Sequence, residues 1–301
     1  MKKKFKLAIV MTIGLPSLVL NNRVKAAAVP VFSSLEINKM HASKEGDFKG
    51  AYKAGNIDNL GYWELPNTLK EVSGIKYLGN NRFACIQDEM GTIFIYNTAS
   101  GKIEKEIPFG GPGDFEGIAI AGTSAYVAQS NGKIYEVQHY EGAKPVVKQY
   151  NTLLTAKHNV EGLTYDQKNH CLLLAIKGAE PRNKKYKGVY AFDLKTKRLA
   201  VKPVVKINLN DPFFNGSKGK QDPFQPSAIE IHPLTNDIYI LQGSDPKLLV
   251  MDAKGRIKKS YTFNQSAFPH AEGLAFSPEG ELYISNEGKD GAAATIVKVV
   301  L

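Results

Sequence analysis

The sequence predicts an all-β chain folded as a five-bladed β-propeller, with a six-bladed ring as the alternative. Three observations carry this expectation. A five-residue element recurs along the chain, each copy opens a series of short strand-like runs, and nothing after residue 26 shows the 3.6-residue period of a helix.

In chain order, Lys2, Lys3, Lys4 and Lys6 precede an apolar run from Leu7 to Leu20, and small residues follow at Ala26–Ala28. A basic segment, a short apolar stretch and small residues at a cut make a secretory signal peptide, assigned to 1–26. The apolar run falls short of the ~20 residues of a membrane span. The mature chain is therefore expected to be exported, periplasmic or secreted, with no stable membrane span after cleavage; an uncleaved anchor is the alternative. Six of the ten net positive charges lie before Ala26, with no acidic residue among them. The remaining +4 or so gives no reason to expect nucleic-acid binding. Residues 27–58 are polar and weakly patterned and read as a linker or arm, leaving 59–301 as the propeller domain.

The repeated element is EVSGI at 71–75, DFEGI at 114–118, NVEGL at 159–163, QPSAI at 225–229 and HAEGL at 270–274. Its fourth position advances by 43, 45, 66 and 45 residues, so one step carries an insertion of about twenty. Each copy leads into further runs such as DIYILQG and KLLVMDA, separated by turn sequences such as HPLTND and SPEGE. Four short antiparallel strands in a repeat of this length make a propeller blade. The last repeat ends after its third strand, and NLGYWELP at 59–66 is expected to supply the fourth and close the ring, which removes a sheet edge. A sixth blade would have to lie inside the long step.

Cys85 and Cys171 both sit in apolar strand-like runs and are expected as buried free thiols rather than a disulfide framework. The segment FGGPGDFEGI at 109–118 has the glycines of a phosphate loop, yet the residues after it alternate like β-structure and form no helical pattern. Its glycines are read as a turn into an inner strand that carries Glu116.

Positions one and three of the element share a side of an extended strand. Position one holds Glu71, Asp114, Asn159, Gln225 and His270; position three holds Ser73, Glu116, Glu161, Ser227 and Glu272. Polar residues at the head of every innermost strand imply a wet environment, the mouth of the central channel. The ends of the second strands, with Asp88, Gln129, Lys177, Asn286 and Glu287, arrive at the same face. So do two long loops, 178–188 and 210–224. That face is the expected binding surface for a small ligand, a glycan or a protein. Position four is small throughout, which suits close approach of inner strands at the axis.

The polar ring has two readings. It can hold ordered water and cap backbone N–H groups. Alternatively, Glu116, Glu161 and Glu272, like charges in a confined mouth, are compensated by a hard cation. Calcium takes six to eight oxygens in flexible geometry, and Asp114, Asn159, Ser73 and Ser227 could complete such a set; zinc would want His or Cys, and only His270 is at hand.

The stretches LPNTLKEVSGIKYLGNNRFACIQDEMGTIFIYN, GPGDFEGIAI and HAEGLAFSPEGELYISNE resemble the SdiA-regulated (YjiK-like) family over roughly 61–301, with EGL/EGI also marking phytase-like and NHL-related propellers. The resemblance implies an exported five-bladed propeller with a calcium site and an undefined biochemical role; the regulator in the family name does not imply DNA binding here. Matched by motif, the calcium suggestion falls on Glu116, Glu161 and Glu272. QPSAI departs from the pattern with Ser227 and Ala228, so the ring of ligands is not symmetric.

Two functions are compatible with these residues. The first is a calcium-binding propeller that presents its channel-mouth face to a ligand or partner. The second is a metal-dependent hydrolase, a lactonase or phosphoesterase, with His270 or a channel glutamate as base and Lys177, Arg182 and Lys184 attracting an anionic substrate. No nucleophile-elbow context surrounds Ser73 or Ser227, and no catalytic residue can be named from the sequence.

Overall fold

The computed structural model describes residues 52–53, 61–180, 185–214, 224–289 and 291–301. The expected signal peptide lies outside them, as do Arg182, Lys184 and most of the 210–224 loop. Residues 50–301 form one compact unit.

Two strands lead the chain, β1 (Tyr52–Lys53) and β2 (Tyr62–Glu64). Blade one is β3 (Val72–Gly79), β4 (Arg82–Gln87), β5 (Thr92–Asn97) and β6 (Lys102–Pro108). Blade two is β7 (Phe115–Ala121), β8 (Ser124–Gln129), β9 (Ile134–Gln138) and β10 (Val146–Tyr150). Blade three contains β11 (Val160–Asp166), β12 (Cys171–Ile176) and β13 (Tyr186–Asp193), with β14 (Arg198–Leu199) and β15 (Val205–Asn208) both pairing β13. Blade four is β16 (Pro226–Ile231), β17 (Ile238–Gln242), β18 (Lys247–Met251) and β19 (Ile257–Thr262), and β1 adds to it in parallel with β19. Blade five is β20 (Ala271–Phe276), β21 (Leu282–Asn286) and β22 (Thr295–Val299), with β2 antiparallel to β22 as its outer strand. The long step is accounted for by β14, β15 and the loops around them, and the described residues form five sheets.

The inner strands pack in a ring: β3 on β7, β7 on β11, β11 on β16, β16 on β20, and β20 back on β3. The core therefore has five layers, one between each pair of neighbouring blades. Strand alternation feeds both layers a blade touches. On β12, Leu172, Leu174 and Ile176 enter the layer against blade two, while Cys171, Leu173 and Ala175 enter the layer against blade four. Such a strand is apolar throughout because both of its faces are buried. Cys85 lies between blades five and one, and both cysteines are free and buried.

Position four of the element shows why it stays small. A Cβ on Gly117 would lie 2.7 Å from the backbone nitrogen of Leu163, and one on Gly162 would lie 2.8 Å from that of Ile229. Gly74 and Gly273 face Ile118 and Ile75 of the next blade in the same way. Each blade thus rests almost backbone to backbone on the next.

Candidate functional site

The element does not run as a regular strand. In every blade the register slips between positions two and four: Val72/Gly74, Phe115/Gly117, Val160/Gly162, Pro226/Ala228 and Ala271/Gly273. Position three is therefore the extra residue of a β-bulge, five times over. A bulge re-aims a side chain and is frequent beside functional sites. This corrects the expectation that positions one and three share a side by simple alternation.

The bulged residues divide into two sets. Ser73 donates its hydroxyl to the carbonyl of Phe115, and Ser227 donates to that of Ala271 at 2.8 Å. Each serine latches its blade to the next, and Ser227 is 2 % exposed. Ser227 lies outside the lining of the carboxylate cavity at the channel mouth, and its hydroxyl makes the inter-blade latch. Ser73 makes the same latch while bordering the carboxylate-lined cavity at the channel mouth.

Glu116, Glu161 and Glu272 converge on that cavity, of about 150 Å³, which is lined also by Glu71, Ser73, Asp88, Lys177 and Glu287. Below it, the residues of positions four and five, among them Gly117, Ile118, Gly162 and Leu163, line a constriction of only about 10 Å³, room for about one water. Further along, Lys76 of blade one pairs with Glu230 of blade four, which also accepts from Thr164. That pair crosses the channel, and the carboxylates form a cup at its mouth.

Each glutamate has a companion two residues before it. Asp114 shares a side-chain hydrogen bond with Glu116 and accepts another from Ser130. Asn159, held at φ 48° where asparagine is tolerated, donates to Glu161 at 2.6 Å. His270 stands beside Glu272, with Glu287 next to both. Lys177 is the counter-charge, 3.2 Å from Glu161. Burial raises Glu116 well above the usual carboxylate range, and the charges of Glu161, Asp114 and Glu272 raise it further. Glu161 is also raised, by burial, against the pull of Lys177. Burial pushes Glu272 up to about 7 against the pull of Lys177, with Glu161 and Glu287 adding to the rise, and pushes Asp88 up to about 6 with help from Glu71. Several of these groups hold protons near neutrality.

The structure thus brings Glu116, Glu161, Glu272, Glu71, Asp88 and Lys177 together, with Asp114 and Asn159 as their supports. Gln129 ends β8 beside Gly113, outside the cavity lining. His270 and Asn286 line a second, larger pocket of about 450 Å³ that shares Glu287 with the cup. Sequence reasoning missed Lys187, whose buried ammonium donates to the carbonyls of Lys177 and Gly178 and fixes the segment that presents Lys177. Burial lowers its pKa. Its signal was a lysine inside the apolar run of β13.

A family model described as SdiA-regulated matches residues 60–289. No curated protein matches the chain in sequence. Among solved structures, glutaminyl cyclase from Myxococcus xanthus is similar at 15% identity and a TM-score of 0.57, covering 80% of this chain and 96% of that one. Virginiamycin B lyase from Staphylococcus aureus is similar at 14% identity and a TM-score of 0.44, over 76% of this chain and 67% of that one. The likeness to the glutaminyl cyclase concerns the fold alone.

Proposed function

The chain belongs to the SdiA-regulated family, and from that premise we propose that it is an exported calcium-binding propeller whose channel-mouth face binds a ligand or partner. The observation that supports this reading is the charge imbalance of the cup: six carboxylates and one ammonium, Lys177, around about 150 Å³. Burial and mutual repulsion disfavour the ionised carboxylates, and a bound divalent cation removes both penalties.

The residues present fit such an ion. The donors are oxygens, as a hard cation requires. The buried Oδ1 of Asp88 has no hydrogen-bond partner among the described residues. Glu116, Glu161, Glu272 and Asp88 are the residues that would hold the ion. Calcium suits a set contributed by four blades better than magnesium, which demands near-octahedral geometry. When bound, the cation supplies a positive centre at the floor of the cup. Asn159 and Lys187 hold Glu161 and the Lys177 segment in place, and Lys177 offers an ammonium to an anionic group of the ligand at the rim. The partner at this face is a small molecule, a glycan or a protein. The signal-like N-terminus supports export.

A second reading, a metal-dependent hydrolase of lactones or phosphoesters, is favoured by the 450 Å³ pocket that opens beside His270 and Glu287. Its proton acceptor would be His270 or Glu287.

The test is thermal melting of the EDTA-treated mature chain with calcium, magnesium or zinc. A calcium-specific rise supports the reading, because a ligand that binds only the folded state stabilises it. No rise with any of the three overturns it. Turnover of a lactone or phosphoester that disappears in Glu116→Gln would favour the hydrolase over the binding module.

A further inference from the structure

We propose that His270, Glu272 and Glu287 form a second metal centre at the rim of the cup, one that takes a first-row divalent ion of the zinc type. One ligand atom from each of the three side chains lies within 4.8 Å of the others. The backbone beneath them is fixed. Ala271 and Asn286 are cross-strand partners at the end of the β20–β21 ladder, and the Glu287 amide donates to the His270 carbonyl at 2.9 Å. Glu272 is the bulged residue between them and reaches the same point from inside the cup. His270 and Glu287 are about one-third exposed, which leaves their side chains free to close on an ion.

The chemistry of this set differs from that of the cup. An imidazole with two carboxylates is a donor set for zinc, cobalt or nickel, whereas calcium takes oxygens. An independent observation points to a ligand here. Asn286 is 2 % exposed, lines the 450 Å³ pocket together with His270 and Glu287, and leaves its Oδ1 without a hydrogen-bond partner among the described residues. Buried polar atoms are rarely left so. The pocket gives a bound ion an open side for water or a small ligand.

Lys289 adds a control element. Its ammonium lies 3.1 Å from Nε2 of His270. An ammonium can only donate, so it occupies the ring's lone pair and leaves the proton on Nδ1, which faces Glu287 at 4.0 Å. A metal held together with Glu287 takes the lone pair of Nδ1 and moves the ring proton to Nε2, where it meets the Lys289 ammonium, so Lys289 opposes loading. If the three groups are only a surface ion-pair chain, no ion competes with Lys289 at all. The centre shares Glu272 with the proposed calcium ligands and Glu287 with the lining of the cup, and it adds His270, which the cup lacks.

Cobalt titration of the metal-free, full-length mature protein, followed by visible absorption, tests this directly. One equivalent of cobalt should give d–d bands that zinc bleaches. The bands should persist in Glu116→Gln, vanish in His270→Ala, weaken in Glu287→Gln, and form at several-fold lower cobalt in Lys289→Ala. Circular dichroism and calcium-dependent melting of His270→Ala check that the variant is folded and that the cup is intact. Absence of cobalt and zinc binding in the parent protein, or binding unaltered in folded His270→Ala, overturns the proposal whether or not calcium binds at Glu116.

Discussion

Lys76 of blade one forms an ion pair with Glu230 of blade four, and because those blades are not neighbours in the ring the pair spans the axis. Glu230 is only 3% exposed at its side chain and also accepts from Thr164 and from the amide of Ile231. Removing one partner of a buried pair leaves an uncompensated charge, at a cost of about 3–5 kcal/mol. The two remaining donors place Lys76→Met at the lower end of that range, about 3 kcal/mol. The double variant Lys76→Met/Glu230→Gln should recover most of the loss. Urea unfolding checks this, and equal stability of parent and Lys76→Met would show that the pair carries no structural weight.

The close contact of inner strands predicts a sharp contrast between two glycines of one segment. A Cβ on Gly117 would press on the backbone nitrogen and the Cβ of Leu163, each at 2.7 Å, whereas one on Gly111 meets nothing within 4 Å. Overpacking of this kind costs about 1–3 kcal/mol, and more where backbone must shift. Gly117→Ala should therefore lower the denaturation midpoint clearly, while Gly111→Ala should stay within about 0.5 kcal/mol of the parent.

The fold was legible in this sequence for a physical reason. Strands such as β12, buried on both faces, read as unbroken apolar runs, and the small residue of position four recurs because neighbouring blades approach closely at Gly74, Gly117, Gly162 and Gly273. The carboxylates of the cup were legible because charged residues at the head of buried strands need a reason. The division of labour among them was not. A β-bulge is a property of the pairing between two strands, so nothing in DFEGI alone reveals that Glu116 is the extra residue. Nor does the sequence reveal that Ser73 and Ser227 donate their hydroxyls to the carbonyls of Phe115 and Ala271 in the next blade. The partnership of Lys76 with Glu230, 154 residues apart, is set by the closure of the ring.

Stability of the metal-free protein should depend on pH in a direction fixed by the cup. Glu116, Glu161, Glu272 and Asp88 all have folded pKa values above their ordinary ones, with Glu272 at about 7 and Asp88 at about 6. The folded state then binds more protons than the unfolded state between about pH 4 and 7. The part of that stability tied to Asp88 and Glu272 is complete below the ordinary carboxylate range and is lost as the pH rises through 6 and 7, while Glu116 keeps its proton to higher pH. Burial alone would raise Glu136, but hydrogen bonds from Tyr150, Lys197 and Tyr126 hold it down at about 2, so its contribution is lost only under strong acid. The melting temperature without metal should therefore be higher at pH 5 than at pH 8. Saturating calcium should flatten or reverse that trend, since the ion favours the ionised carboxylates and displaces their protons. A melting temperature that rises steadily from pH 5 to pH 8 without metal would contradict this proton balance.

Glutamine replacements separate the two most buried carboxylates. Glu116 is raised far enough to keep its proton at pH 8. Glu116→Gln, which resembles the protonated acid and can still pair with Asp114, should leave the metal-free stability nearly unchanged while abolishing the calcium-dependent rise. Glu272, at about 7, is largely ionised at pH 8 and protonated at pH 5. Glu272→Gln should therefore stabilise the metal-free protein by about 1–3 kcal/mol at pH 8, since each tenfold change in a group's proton affinity is worth about 1.36 kcal/mol. The gain should fade at pH 5, where the parent carboxyl is already neutral. Paired melts of both variants at the two pH values read the four numbers together. A gain for Glu272→Gln that is equal at pH 5 and pH 8 would mean that its benefit comes from packing, and that the charge of Glu272 is not what strains the cup.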